Sequence, residues 1–303
     1  MFLVTVFIFV RFLIRTRTDN CSNHSVSQRE LVLYGLPFVP MLLMEWLLQW
    51  MDKWSIRTFQ DFAETGIYAS ASQIMTVLLT FKISYVAFWS PVAMEKYENC
   101  SEKECKDFFA DMFDKVQFLG MCAAFLLTIF RDVIVLILGK NYRDAVLIIP
   151  FLSLMPIMST LFEMTGQGVK FVGKTKYFYY SSGAAIICNF VGNNVLVPRF
   201  AGAGAALATA ITYIVYFAIG TYFSNKCYPV KYKFGKFSIA IVIYFLYSIY
   251  ATFMDKGIIC SLIGCVLLAL ICLINYSTLK GLLQIFKSMA AVYIGKIKGL
   301  VKK

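Results

Sequence analysis

Charge is scarce in this chain. Only 15% of its 303 residues are Asp, Glu, Lys or Arg, against about a quarter in a water-soluble domain, so a soluble globular protein is excluded. Histidine occurs once, as His24. The nine cysteines are scattered, most of them inside apolar runs where they behave as small hydrophobes. Cys100 and Cys105 form a C-x4-C pair in an acidic loop with no histidine near, so neither a disulfide framework nor a metal-ligand set is read. The strict apolar/polar alternation of an outer-membrane barrel is absent. A secretory signal is absent too: Met1 to Ile14 is apolar apart from Arg11, with no positive charge ahead of it and no small-residue cleavage site behind.

What the chain has in excess is apolar length. Hydrophobic residues make up 59% of it and the mean hydropathy is +0.70. Stretches able to span about 30 Å of hydrocarbon recur at 31–51, 68–92, 116–138, 145–165, 177–197, 203–223, 235–254 and 257–276. Each must be helical, because lipid offers a backbone no hydrogen-bond partner. The expected fold class is all-α: a polytopic transmembrane helix bundle of about eight full spans. Residues 1–14 reach only about 21 Å as a helix and read as the last part of a transmembrane helix whose beginning is missing.

The net charge of +12 is explained by topology. With the segment before Leu31 placed in the cytoplasm, the inside receives Arg11, Arg15, Arg17 and Arg29, then Lys96, Lys103, Lys106 and Lys115, then Lys170, Lys174 and Lys176. Lys226, Lys231, Lys233, Lys236 and the tail lysines follow, while the outer loops hold few. This is a positive-inside pattern with a cytoplasmic C-terminus. The cations lie beside anionic headgroups, and nucleic acid is not a partner. Lysines interleave with apolar residues from Leu279 to Leu300, as in an interfacial amphipathic helix.

Ionisable groups inside spans are costly and mark polar interiors. Lys82 lies near the middle of its span, between Phe81 and Ile83, where it can serve as a cavity cation for a phosphate or pair with Glu45 of the preceding span. Arg131-Asp132 reads as a local or snorkelled pair near the outer interface, and Glu163 as interfacial. Asn189 and Asn193 share one helical face, either joining helices by hydrogen bonds or lining a polar path or cation site. Pro37 and Pro40 interrupt the first span, Pro91 ends the second, and Pro150 and Pro156 break the fourth. Such breaks frame sites and hinges in transporters. Gly202, Gly204 and the alanines around them allow close helix packing.

Four segments, in order and spacing, resemble one family. They are Tyr34-Gly35-Leu36-Pro37; Asp52-Lys53-Trp54 followed by Thr65-Gly66-Ile67-Tyr68-Ala69-Ser70-Ala71; Leu138-Gly139-Lys140-Asn141-Tyr142-Arg143-Asp144-Ala145; and the run from Asn189 through Asn193, Pro198, Gly202 and Gly204 to Thr209. Over about residues 30–225 the chain resembles the polysaccharide-biosynthesis, O-antigen (oligosaccharide-lipid) flippases of the multidrug/oligosaccharidyl-lipid/polysaccharide exporter superfamily, in their C-terminal portion. Lys53 stands where that family has Arg, keeping the charge and losing the bidentate fork.

The resemblance implies an architecture of two six-helix lobes with two added helices. Residues 1–30 then correspond to the end of a preceding helix and a loop, 31–223 to the second lobe, 224–276 to the added pair and 277–303 to a basic cytoplasmic tail. It implies a bacterial inner-membrane transporter, not an enzyme, that moves undecaprenyl-diphosphate-linked oligosaccharide by alternating access for surface polysaccharide such as lipopolysaccharide O-antigen. Lys82 is the expected diphosphate group, with Glu45, Asn189 and Asn193 as cavity or coupling residues. Asp52, Lys53, Tyr142 and Pro198 are structural motif positions. No catalytic residue, metal or cofactor is implied, and coupling to Na+ or H+ stays open. Lipid-linked oligosaccharide and membrane lipids are the expected partners, with a missing N-terminal lobe or partner protein. Another exporter of the superfamily and a non-transporting lobe are the alternatives. A membrane glycosyltransferase or polymerase needs a large outer loop, and the longest here runs only over about residues 52–67.

Overall fold

Apolar residues at helical spacing become helices throughout the computed structural model, which describes residues 38–254, 257–284 and 287–288. The chain divides at Leu42 into two units. Of the first, only the opening turn of α1 lies among the described residues, and the packing below concerns the second, from Leu43 onward. The expected helix remnant at 1–14, the Gly-Leu-Pro at 35–37 and most of the basic tail lie outside the described residues.

Helix α1 (Phe38–Phe59) turns Leu48, Met51, Asp52 and Ile56 inward. Asp61 then caps α2 (Phe62–Asn99), its carboxylate accepting from Glu64 N at 2.8 Å. Helix α2 has 38 residues, about 57 Å, and continues past Pro91, which the sequence reading took as its end. One missing N–H leaves the rest of the ladder intact, and membrane helices tolerate proline for that reason. Helix α3 (Glu102–Ile129) opens on a capping box between Ser101 and Glu104.

The expected span 116–138 does not stay helical to its end. Helix α3 stops at Phe130 (φ −92°, ψ 8°). A single turn, α4 (Arg131–Ile134), follows, then 3-10 turns at Val135–Ile137 and Lys140–Leu147. The fourth span is broken between its prolines, at Ser153, and again at Gly166, where no proline stands, into α5 (Ile149–Leu152), α6 (Leu154–Thr165) and α7 (Gln167–Phe171). At the first break the Pro150 carbonyl accepts from Ser153 Oγ (2.9 Å) and Tyr244 Oη (2.8 Å), so the interruption leaves no orphan acceptor there.

Helix α8 (Lys176–Cys227) holds 52 residues, about 78 Å and enough for two crossings. It breaks at Ala201, whose φ of 49° and ψ of −132° are non-helical. The break is stitched by the turn between α1 and α2 and by the first turn of α2. Gln60 Nε2 donates to Val197 O at 3.1 Å, and Gly202 N donates to Glu64 Oε1 at 2.9 Å. Pro198 lies just before this turn, and Gly204 is needed because a Cβ there would strike the Leu196 carbonyl. The two halves correspond to the spans expected at 177–197 and 203–223. Helices α9 (Phe234–Phe253) and α10 (Ile258–Ile274) complete the set.

Among the described residues there is no strand. Five helical stretches are long and apolar enough to cross a bilayer, and a sixth if α10 and Tyr276–Gln284, bent by 81°, form one span. Helix α1 falls short because it carries Glu45, Asp52, Lys53 and Arg57. Loops expected on one side do meet. Phe200 packs on Phe253 and Thr252 Oγ1 donates to Leu147 O at one end; Tyr97 stacks on Phe171 and Lys233 pairs with Asp114 at the other.

Candidate functional site

Residues seven or eight apart on α1 and α2 fall on facing surfaces, and these surfaces border an open cavity of about 270 Å³ in which charged and polar side chains lie among Leu48, Leu79 and Leu152. Glu45, Gln49, Asp52 and Lys53 come from α1; Tyr68, Ser72, Thr76 and Lys82 from α2; Met155 and Ser159 from α6; Ser182, Tyr213 and Tyr216 from α8. On the α2 wall, Ser72 and Thr76 donate to the carbonyls one turn back. Their hydroxyls are thereby satisfied within their own helix.

Asp52 forms the floor. Its Oδ1 accepts from Asn189 Nδ2 (3.0 Å) and Asn193 Nδ2 (2.8 Å), and its Oδ2 from Tyr68 Oη (2.5 Å) and Thr209 Oγ1 (2.6 Å). All five residues are buried. Four donors converge on one acceptor-only group, the arrangement an ionised carboxylate requires. Asn193 also donates to Asn189 Oδ1 at 3.0 Å, while Asn193 Oδ1 is buried without a hydrogen-bond partner. The two asparagines therefore join α8 to α1 and stand behind the cavity rather than on its wall. With its acceptor sites taken by these four donors, the Asp52 carboxylate anchors α1 to α2 and α8 and presents no free oxygen to a cation. Among the described residues no three His, Cys, Asp or Glu side chains cluster as a metal site.

Lys82 reaches the opposite wall. Its ion pair is with Glu163 Oε1 at 3.9 Å, not with Glu45, and Glu163 Oε2 also holds Lys170 at 3.2 Å. The Glu45 pairing is thus corrected: both residues line the cavity, but α6 offers Lys82 a carboxylate that α1 does not. At 3.9 Å the contact is Coulombic, beyond hydrogen-bond reach, so the ammonium keeps donors for a ligand. Glu163, read as interfacial, is half-buried and bridges the two lysines.

Of the remaining sequence-predicted residues, Lys53 alone reaches the cavity. Lys53 lines the cavity and lays its ammonium 4.6 Å from the Trp50 ring. Tyr142 packs against Gly66 at the end of the bundle, where a Cβ on that glycine would stand 3.3 Å from its ring. Pro198 serves the break in α8. Arg131 is fully buried rather than snorkelled. It donates to the Ala251 carbonyl and to Cys260 Sγ (3.7 Å), with Asp132 at 3.9 Å, and so ties α4 to α9 and α10. Sequence reasoning missed Thr209 and the roles of Tyr68, Tyr213 and Tyr216. The first two sit inside the quoted motifs, but only the fold aims them at Asp52.

Crossing helices, a charged polar cavity and buried polar side chains define a polytopic α-helical membrane protein. Its backbone is similar to that of the lipid II flippase MurJ in its inward closed conformation, with a TM-score of 0.59 and 18% identity over 90% of this chain and 59% of that one. By sequence it is similar to the probable low-salt glycan biosynthesis flippase Agl15 of Haloferax volcanii, 18% identical over 209 residues, covering 69% of this chain and 44% of the relative. The chain spans less than half the length of that curated relative and somewhat over half of the MurJ chain. No family model matches it. At this identity the likeness establishes the fold.

Proposed function

We propose that this chain is the second lobe of a flippase for a lipid-linked oligosaccharide, and that it is a transporter rather than an enzyme. The observation that carries the reading is the cavity itself, which places Lys82 and Lys53 around a wet space within helices otherwise suited to lipid. Its volume of about 270 Å³ has room for a diphosphate. Lys82 engages the diphosphate of an undecaprenyl-diphosphate carrier, displacing the loose Glu163 contact. The sugars extend toward the space a preceding lobe encloses, and the isoprenoid stays in the bilayer. Alternating access of the two lobes then carries the head group outward across a bacterial inner membrane, for O-antigen or a related surface polysaccharide, with the C-terminus in the cytoplasm. Both flippases to which the chain is similar are named for lipid II or glycan biosynthesis, which supports a lipid-linked cargo.

The test is complementation of a flippase-null strain, with residues 1–303 alone and joined to a preceding six-helix lobe. The joined form is expected to restore surface polysaccharide and its Lys82→Ala variant to lose it at normal expression. Unchanged polysaccharide in the variant sinks the assignment of Lys82, and failure of both forms sinks the transport reading.

A further inference from the structure

Glu163 stands between two cations. Its Oε1 lies 3.9 Å from Lys82 Nζ, outside hydrogen-bond range, while its Oε2 accepts from Lys170 Nζ at 3.2 Å. The three side chains come from α2, α6 and α7, and each keeps partial access to solvent, at 24% for Lys82, 27% for Glu163 and 35% for Lys170. Glu163 and Lys170 are seven residues apart, beyond the three or four that pair side chains on a continuous helix. They meet across the break at Gly166, where Gln167 Nε2 also donates to the Glu163 carbonyl at 2.9 Å. The carboxylate is thus anchored on one side and only attracted on the other.

We propose that Glu163 is an internal counter-ion that competes with the anionic head group for Lys82 and so sets how fast that group is released. The inference rests on the transport reading above and assigns the release step that Lys82 alone does not supply. When a diphosphate arrives, Lys82 exchanges one anion for another, and the displaced carboxylate keeps its bond to Lys170. The exchange therefore leaves no charge unpaired. When the diphosphate departs, Glu163 is already in place to take Lys82 back. A lysine without this competitor would hold the head group more tightly and give it up more slowly. Of the two acids that line the cavity, Asp52 is engaged by its four donors and Glu45 makes no ion pair with Lys82. The competing role falls to Glu163.

The test uses geranyl diphosphate, a soluble diphosphate ester, and the full chain in nanodiscs. Glu163→Gln is expected to bind it about fivefold tighter, the size of one partly exposed ion pair, with the gain in a slower dissociation rate. Lys170→Ala leaves Glu163 to Lys82 and should weaken binding by a similar factor. In the double variant that loss should vanish, because the competitor is gone. A purely structural role for Glu163 predicts the reverse, since removing a supporting contact does not tighten a site. Unchanged or weaker binding by Glu163→Gln, or a Lys170→Ala loss that persists without Glu163, overturns the counter-ion. In the form joined to a preceding lobe, Glu163→Gln should slow delivery of polysaccharide to the surface; delivery unaltered despite tighter binding overturns the release role. Lys82→Ala on the same preparation separates the two readings. Lys82-dependent binding that Glu163→Gln leaves unaltered removes the counter-ion alone, and absence of Lys82-dependent binding in the wild type removes the transport reading with it.

Discussion

Replacing Asp52 with alanine removes the acceptor shared by Tyr68, Asn189, Asn193 and Thr209. The two hydroxyls can turn toward other acceptors, because an O–H rotates freely. The asparagine amides cannot, since Asn193 already donates to Asn189 Oδ1 and their helix is fixed. Each stranded buried donor costs about 1–3 kcal/mol. Two of them, with water entering the adjoining cavity to offset part, set the cost of Asp52→Ala at about 4 kcal/mol. Asp52→Asn keeps an acceptor for the amides and gives up the charge-assisted bonds, at about 2 kcal/mol. Unfolding can be followed with a thiol-reactive dye, because Cys105 and Cys260 are buried in the folded chain and react when it opens. The order wild type, Asn, Ala is expected in midpoint temperature. An alanine variant within about 0.5 kcal/mol of wild type, the range of an ordinary surface substitution, would falsify the four-donor description.

The remaining predictions are local. Ala201 holds a positive φ that glycine adopts freely, so Ala201→Gly should stabilise the chain by about 1 kcal/mol, read as a raised midpoint in the same dye assay; a lowered midpoint contradicts strain at that turn. At Gly220 a Cβ would run into the Phe162 ring, so Gly220→Ala should cost about 1–3 kcal/mol, and the double variant with Phe162→Leu should recover most of it.

Helix positions were legible in the sequence wherever apolar length decides them, because no other backbone form survives in lipid. The exceptions have particular causes. Pro91 reads as a stop but removes only one donor from a 38-residue helix. Residues 130–138 read as apolar span, yet Arg131 turns inward to the Ala251 carbonyl and the helix breaks to let it. In the site, Lys82 and Glu45 stood out because charge in an apolar run is expensive, and Asp52 and Lys53 stood out only as motif positions of the resembled family; all four line one cavity. The partner of Lys82 was not legible. Sequence order favours the neighbouring span and Glu45, whereas α6 packs beside α2 and supplies Glu163. Asn189 and Asn193 were marked by their spacing, but their target on another helix, 137 and 141 residues away, is a matter of packing.

The cavity also has an electrical consequence. Its formally charged lining comprises two acids, Glu45 and Asp52, and two bases, Lys53 and Lys82, so the empty site is neutral. On the proposed mechanism an empty lobe therefore swings without moving net charge through the membrane field, and its return is indifferent to voltage. The loaded swing is not, because a diphosphate brings uncompensated negative charge, worth about 2.3 kcal/mol per charge for each 100 mV crossed. An inside-negative potential thus drives cargo outward and leaves the reset to thermal motion, which gives the cycle a direction.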